Sequence, residues 1–276
     1  MDHYGLWYDV FQCLDLKSQL SMVFACSIVK GSLNITDLCH IDKKYLCVLT
    51  QDIIEKLIFR NVTKLNADSQ IRNVSFMKNL KILYARRNCG IGQRSIDRLD
   101  LVELHASSNR KITDVSFMKN LRVLTACDVC GIKQKGIKNL DLVVLSAGGN
   151  EGITDVSFMP NLRILHADRT CGINQDGISG LNLIYLNTFC NSNITDVSFM
   201  RKLKILDAQY TSGIDQKGIR GLDLIKIKIL GNPKIEDIMF MKNLVMCDTM
   251  SLPERDLLFY SPLLGSPPNS SFRSWP

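Results

Sequence analysis

Ten cysteines and four histidines are the residues of this 276-residue chain best suited to chemistry, and their spacing limits what they can do. Cys127-x-x-Cys130 has the spacing of half a zinc site or of a redox pair, but no second C-x-x-C and no H-x-x-x-H accompanies it. Cys130 also belongs to a column. Cys89, Cys130 and Cys171 stand 41 residues apart, and the next place is taken by Ser212, which a ligand column would not accept. Free thiols in a reducing compartment fit that pattern, so no metal, cofactor or structural disulfide is expected. His105 and His166 occupy equivalent places three units apart, which at about 4.8 Å per stacked strand is too far for one ion. No G-x-S-x-G, phosphate loop, H-E-x-x-H or carboxylate pair outside the repeat columns occurs, so no catalytic residue is assigned and an enzyme is not expected.

The elements that position these residues are repeats. Phe76, Phe117, Phe158, Phe199 and Phe240 are 41 residues apart at every step. A fixed period with apolar columns means that each unit buries its apolar face only against its neighbour. The block divides into 20 and 21 residues, each half built on L-x-x-L-x-A-x-x-N: Leu121, Leu124 and Ala126 in one, Leu142, Leu145, Ala147 and Asn150 in the other. Leu80, Leu121, Leu162, Leu203 and Leu244 form one column, Ile91, Ile132, Ile173 and Ile214 another. The second leucine and the alanine alternate with polar positions, as in a short strand with one buried face, and stacked copies predict a parallel sheet. Asn109, Asn150, Asn191 and Asn232 stand where the chain leaves that strand, where an amide can satisfy turn backbone groups. Gly90, Gly131, Gly172 and Gly213 suit a bend that needs a small residue or positive φ. The V-S-F-M segments are too short for full helices, predict 3₁₀ or extended arcs, and are expected to point Phe and Met inward. On that register, Phe158→Ala is expected to cost about 3–5 kcal/mol, as for an emptied aromatic core site.

With these columns the chain resembles the leucine-rich repeat family over about residues 62 to 250, roughly nine units. The I-T-D-V-S-F-M-K-N-L segments look most like the short-arc repeats of bacterial internalin-type proteins, and the C-G-I-x-Q-x-G-I-x-x-L units like the cysteine-containing repeats of F-box proteins. The resemblance implies an α/β solenoid with a parallel concave sheet and short convex arcs, presenting a surface rather than a pocket. The outward strand positions predict the concave contact residues: Tyr84, His105, His166, Asn187, Asp207 and Lys228 in one column, Arg86, Asp168, Phe189 and Gln209 two residues later, and Tyr185. They vary between units while the core columns stay fixed. Tyr185 and Phe189 are expected to be exposed and to anchor a protein partner.

The formal net charge of +7 invites a nucleic-acid reading, but the signs are interspersed. Lys81, Arg122, Arg163 and Lys204 line one solvent column, Asp114, Asp155, Asp196 and Asp237 another on the arc. Such a pattern predicts a solvated face rather than a phosphate track, and base-stacking aromatics are not interleaved with it. The chain has no 18-residue apolar run and no basic stretch leading into an apolar one, so neither membrane spanning nor secretion is expected.

Residues 1–45 do not follow the repeat. Leu6, Val10 and Leu14, then Leu16, Leu20, Val23 and Phe24, form helical stripes. Residues 6–26 resemble the F-box, although no Leu-Pro precedes them and no Lys-x-Trp closes them. That resemblance implies docking on the Skp adaptor of a cullin-RING ubiquitin ligase through Leu6, Val10, Phe11, Leu14, Leu16 and Leu20, with the repeats selecting a substrate. Large DNA viruses encode compact proteins of this arrangement, which implies the host cytoplasm. A plain N-terminal cap over the first repeat accounts for the same stripes. Ile35-Thr36-Asp37-Leu38 echoes the I-T-D-V arc, suggesting a degenerate unit near residue 35. The repeats fill residues 46–250. Residues 251–276 read as a C-terminal cap and loose tail, with Pro253, Pro262, Pro267 and Pro268 after or around the apolar stretch Leu257 to Tyr260.

Overall fold

The computed structural model describes residues 37–38, 51, 62–67 and 71–248. The helical stripes of residues 6–26 and the tail after Asp248 lie outside the described residues. Eleven short strands follow one another: β1 (Asp37–Leu38), β2 (Lys64–Asn66), β3 (Ile82–Tyr84), β4 (Glu103–His105), β5 (Val123–Thr125), β6 (Val144–Ser146), β7 (Ile164–His166), β8 (Tyr185–Asn187), β9 (Ile205–Asp207), β10 (Lys226–Lys228) and β11 (Met246–Asp248). They stack in chain order as one parallel sheet, leucine on leucine, as in Leu83↔Leu104 and Leu124↔Leu145. This is the parallel solenoid that the repeat predicts. Besides Gln51, which is helical, regular helix among the described residues is limited to one turn, α1 (Gln93–Ile96), and two 3₁₀ turns, η1 (Gln134–Ile137) and η2 (Asp176–Ile178).

Two expectations at the ends of the pattern change. Leu38 pairs with Leu65, so Asp37–Leu38 occupies the strand level and not the arc that its I-T-D-L string echoes. The phenylalanine column is not in the core: Phe76, Phe117, Phe158, Phe199 and Phe240 are 37–39% exposed. Consecutive turns explain why. Met118 N donates to Val115 O at 2.9 Å and Leu121 N to Met118 O at 3.0 Å, so every third residue turns inward. Ile112, Val115, Met118 and Leu121 follow that three-residue pitch and are buried, while Ser116 and Phe117 fall between its steps.

The asparagines form the predicted ladder. Asn150 Nδ2 donates to Ala126 O at 2.7 Å and Ile132 O at 3.0 Å, and its Oδ1 accepts from Gly152 N at 3.1 Å. Asn109, Asn191 and Asn232 repeat the arrangement, and all four are at most 4% exposed. A buried carbonyl left without a donor costs about 1–3 kcal/mol, so the ladder offsets the burial of the turn backbone.

A second amide ladder went unassigned in the sequence. Gln134 Oε1 accepts from Thr154 N and Asp155 N at 2.9 and 3.0 Å, and its Nε2 donates to Asp155 O at 2.8 Å. Gln93, Gln175 and Gln216 do the same in the other blocks, and Gln51 bonds the backbone of Arg72 and Asn73. The charged columns also have structural work. Asp114, Asp155, Asp196 and Asp237 each accept a backbone N–H two residues on, at 2.8–2.9 Å. Lys81, Arg122 and Lys204 donate to the carbonyls of Asp100, Asp141 and Asp223 in the next unit.

Gly90, Gly131, Gly172 and Gly213 do not adopt positive φ. Their role is close approach, because a Cβ would run into the carbonyl oxygens of Ile71, Ile112, Glu151 and Ser192 respectively. At the third residue after each strand from β3 to β10 positive φ falls on Arg87, Ser108, Asp128, Gly149, Arg169, Cys190, Tyr210 and Gly231. Six of these eight are not glycine, at φ of 54–59°. Each conformation costs about 1–2 kcal/mol for an L-residue. It lets Arg87 N, Asp128 N and Arg169 N extend the sheet by donating to Ser107 O, Gly148 O and Phe189 O.

Candidate partner-binding face

The sheet registers place the predicted contact residues in continuous rows. Tyr84, His105, Thr125, Ser146, His166, Asn187, Asp207 and Lys228 are successive partners across β3 to β10. Their neighbours on the same strands, Leu83 to Ile227, are fully buried. The alternation of a three-residue strand therefore separates core from face as the sequence pattern requires.

At the N-terminal end the face is aromatic and basic. Tyr84 and His105 stack with ring centroids 4.2 Å apart and planes 5° from parallel. The guanidinium carbon of Arg86 lies 5.1 Å from the Tyr84 ring centre, a cation–π contact. Arg86 Nη2 and Thr125 Oγ1 approach His105 Nδ1 at 3.5 and 3.4 Å. That network assigns Nδ1 as the acceptor and puts the ring proton on Nε2, which faces Glu103 at 3.7 Å without a hydrogen bond.

The middle is low. Thr125, Ser146, Cys127 and Gly148 are small, and they lie between the Tyr84–His105 pair and His166, whose ring meets Tyr185 at 4.9 Å. Asp168 leans over Gly148, where a Cβ would strike its carboxylate. Arg169 clamps the rim, with Nε 2.9 Å from Asp168 and Nη1 3.0 Å from Asp128.

At the C-terminal end the face is more closed than the sequence suggests. Tyr185 and Phe189 are half-buried rather than exposed, and Phe189 packs edge-on against Tyr210 at 5.2 Å. Tyr210, 43% exposed, was absent from the predicted contacts because it stands at the positive-φ step after the strand instead of at an outward strand position. Asp207 and Gln209 lie on the face but are only 6% and 3% exposed. Burial pushes the Asp207 carboxyl above its usual range, against the pull of Lys228 at 3.4 Å. Asn187 is half-buried and caps its own turn, accepting from Phe189 N at 2.9 Å.

Six of the ten cysteines lie among the described residues. Cys89, Cys130 and Cys171 are buried, Cys127 and Cys190 half-buried, and Cys247 exposed, all as free thiols. Burial pushes the Cys127 and Cys130 thiols up and that of Cys171 to about 12, so these groups are protonated and are poor nucleophiles at neutral pH. Among the described residues no group of three or more His, Cys, Asp or Glu side chains has the geometry to hold a metal ion. No helix among the described residues is long and apolar enough to cross a membrane.

Ser212 shows how the cysteine column changes chemistry. Thr188 replaces the alanine of its own column, and both hydroxyls are fully buried 2.9 Å apart. Thr188 Oγ1 donates to Asp207 O at 2.9 Å, so its proton is used and Ser212 is the donor between them.

No protein-family profile matches this sequence. No characterised protein matches it either. Among solved structures the chain is similar to a complex of Rad7 and Elc1 from yeast, with a TM-score of 0.45, 16% identity, and coverage of 78% of this chain and 74% of that chain.

Proposed function

We propose that this chain is a non-enzymatic recognition scaffold that binds a protein partner on its concave sheet. The observation that carries the proposal is the contrast along β3 to β8: a fixed leucine fully buried in the stack, and next to it a half-buried outward residue that differs from unit to unit. Those residues are held by their neighbours, as in the Tyr84–His105 stack and the Asp168–Arg169–Asp128 clamp, so a partner meets a surface that has little side-chain freedom left to lose. A photo-reactive residue placed at Asn187 is expected to cross-link a protein partner in cells, whereas the same probe at Asn161 on the arc is not. Capture from Asn161 alone would move the binding surface to the convex side.

Within this reading, the finer role is substrate recognition for a cullin-RING ubiquitin ligase, in the manner of the F-box and leucine-rich repeat proteins that large DNA viruses encode for use in the host cytoplasm. Its support is the F-box-like string at residues 6–26, which lies outside the described residues. Leu14→Asp is expected to abolish binding to a Skp adaptor while leaving the melting temperature in place. If the unmodified chain binds no Skp adaptor, the ligase role is lost and the general scaffold remains. A lowered melting temperature without any adaptor binding identifies residues 1–45 as a cap.

A further inference from the structure

Once the two structural columns have taken their share of the charge, the remainder is distributed unevenly along the edge where the chain turns out of the strands. The units of β2, β3 and β4 carry Arg72, then Arg86 and Arg87, then Arg110 and Lys111 there, all exposed. The following units carry Asp128, Glu151 and the Asp168–Arg169 pair. The five cations are contiguous. The stem of Arg72 lies against Gly90, Lys111 Nζ donates to Cys89 O at 3.0 Å, and Arg87 N donates to Ser107 O at 2.8 Å, three residues before Arg110.

None of these five makes an ion pair with a carboxylate of the described residues. The neighbouring acids are otherwise engaged: Asp128 is held by Arg169 at 3.0 Å, and Glu103 faces His105 at 3.7 Å. Asp68, four residues before Arg72, lies outside the described residues. Arg86 is already oriented, with its guanidinium over Tyr84 and against His105 Nδ1. Like charges along one edge repel one another, whereas an anion arriving from outside is attracted by all of them.

Deepening the scaffold reading on which it rests, we propose that this corner of the concave face takes an acidic segment of the protein partner, bearing carboxylate or phosphate groups. Guanidinium forks match either anion with two parallel hydrogen bonds. An extended segment presents same-side groups about 6.6 Å apart, about 1.8 Å more than the spacing of neighbouring units, a difference that the long arginine side chains can span over two or three units.

The test measures binding of the full chain to fluorescein-labelled peptides of alternating Glu-Ser, of alternating phosphoserine-Ser and of alternating Lys-Ser, and to a labelled oligo-dT, at about 50 mM salt where exposed charges act furthest. The edge variant is Arg72→Glu/Arg86→Glu/Arg110→Glu; Arg87 is left alone because of its φ of 56°. A control, Arg94→Glu/Arg98→Glu/Lys138→Glu, makes the same charge change on the arcs. Both must melt at the parent temperature. The acidic peptides are expected to bind and the lysine peptide not to. The edge variant should lose at least about tenfold in affinity and the control less than about twofold. Comparison of the glutamate and phosphoserine peptides decides which anion the edge prefers. Equal losses in the two variants, or no saturation by either acidic peptide up to about 1 mM, overturns the proposal. Tighter binding of oligo-dT that the edge variant abolishes also overturns it, in favour of nucleic acid. The Asn187 cross-linking experiment separates the two levels: a partner captured there without acidic-peptide binding sinks only this inference, and peptide binding without any concave capture sinks the scaffold reading.

Discussion

Asn109, Asn150, Asn191 and Asn232 recur every 41 residues, and so do Phe76, Phe117, Phe158, Phe199 and Phe240. The polar column is at most 4% exposed and the aromatic one 37–39%. Side-chain polarity alone would place the two the other way round. Period reports that a position is equivalent in every unit, and says nothing of which side of the chain it faces. What decides that is local backbone geometry: the turn leaving the strand brings carbonyls of two units onto one amide, and the three-residue pitch of the arc carries Phe past the core and Met into it.

The comparison is broken most directly at the amide. Asn150→Ala removes the donor to Ala126 O and Ile132 O in a site without access to water, and at about 1–3 kcal/mol for each stranded group the expected loss is about 4 kcal/mol. Urea unfolding followed by circular dichroism measures it. A loss under about 1 kcal/mol would mean that these carbonyls find other donors. Met159→Ala, in the buried column beside the exposed Phe158, is expected to cost about 2–4 kcal/mol from lost contacts and the cavity left behind.

Much of this was legible because it is repeated. The strand register, the single parallel sheet, the asparagine ladder and the short arcs all follow from columns that keep step over five blocks. Phase within the arc was legible too, since Ile112, Val115, Met118 and Leu121 are spaced by three, but a conspicuous Phe beside them drew the core assignment. The glutamine ladder was hidden because Gln134 and the backbone it serves, Thr154 and Asp155, are 20 and 21 residues apart with no complementary side chain to mark the pairing. Positive φ on arginine, serine, aspartate, cysteine and tyrosine has no sequence mark at all, because the sheet hydrogen bond that repays it belongs to the next unit. Contact positions were legible as places on the face, but their exposure was not: Asp207 and Gln209 face out by register and are nonetheless covered.

Three substitutions sharpen the comparison at smaller scale. Thr188→Ala strands the buried Ser212 hydroxyl and is expected to cost about 1–3 kcal/mol, the penalty for an unsatisfied buried group. Adding Ser212→Cys to that variant recreates the Ala147 and Cys171 chemistry of the preceding block and should recover most of the loss. Full additivity of the two changes would show that the hydroxyls do not act as a pair. Gln134→Ala opens the second ladder, whose backbone partners are near water and can rehydrate, so about 1 kcal/mol is expected from the same denaturation measurement, well below the cost at Asn150.

An effect as small as that at Gln134 belongs to the residue type usually costliest to remove. Phe158→Ala deletes a ring that is 39% exposed. What the ring does cover can be read at the end of the array, where Phe240 shares a shallow pocket with Gln216, Lys217, Arg220 and Gly221 of the preceding arc. By the repeat, Phe158 stands in the same relation to Gln134, Lys135 and Lys138, long side chains that can close over the space its removal leaves. No rigid cavity forms, and only part of the ring's apolar area returns to water. The expected loss is about 1 kcal/mol, against the about 3–5 kcal/mol of an aromatic core site. The decisive quantity is the ratio to Met159→Ala measured under the same conditions. If Phe158→Ala proves the more costly of the two, the aromatic column carries the core, and the difference drawn between the asparagine and phenylalanine columns is wrong.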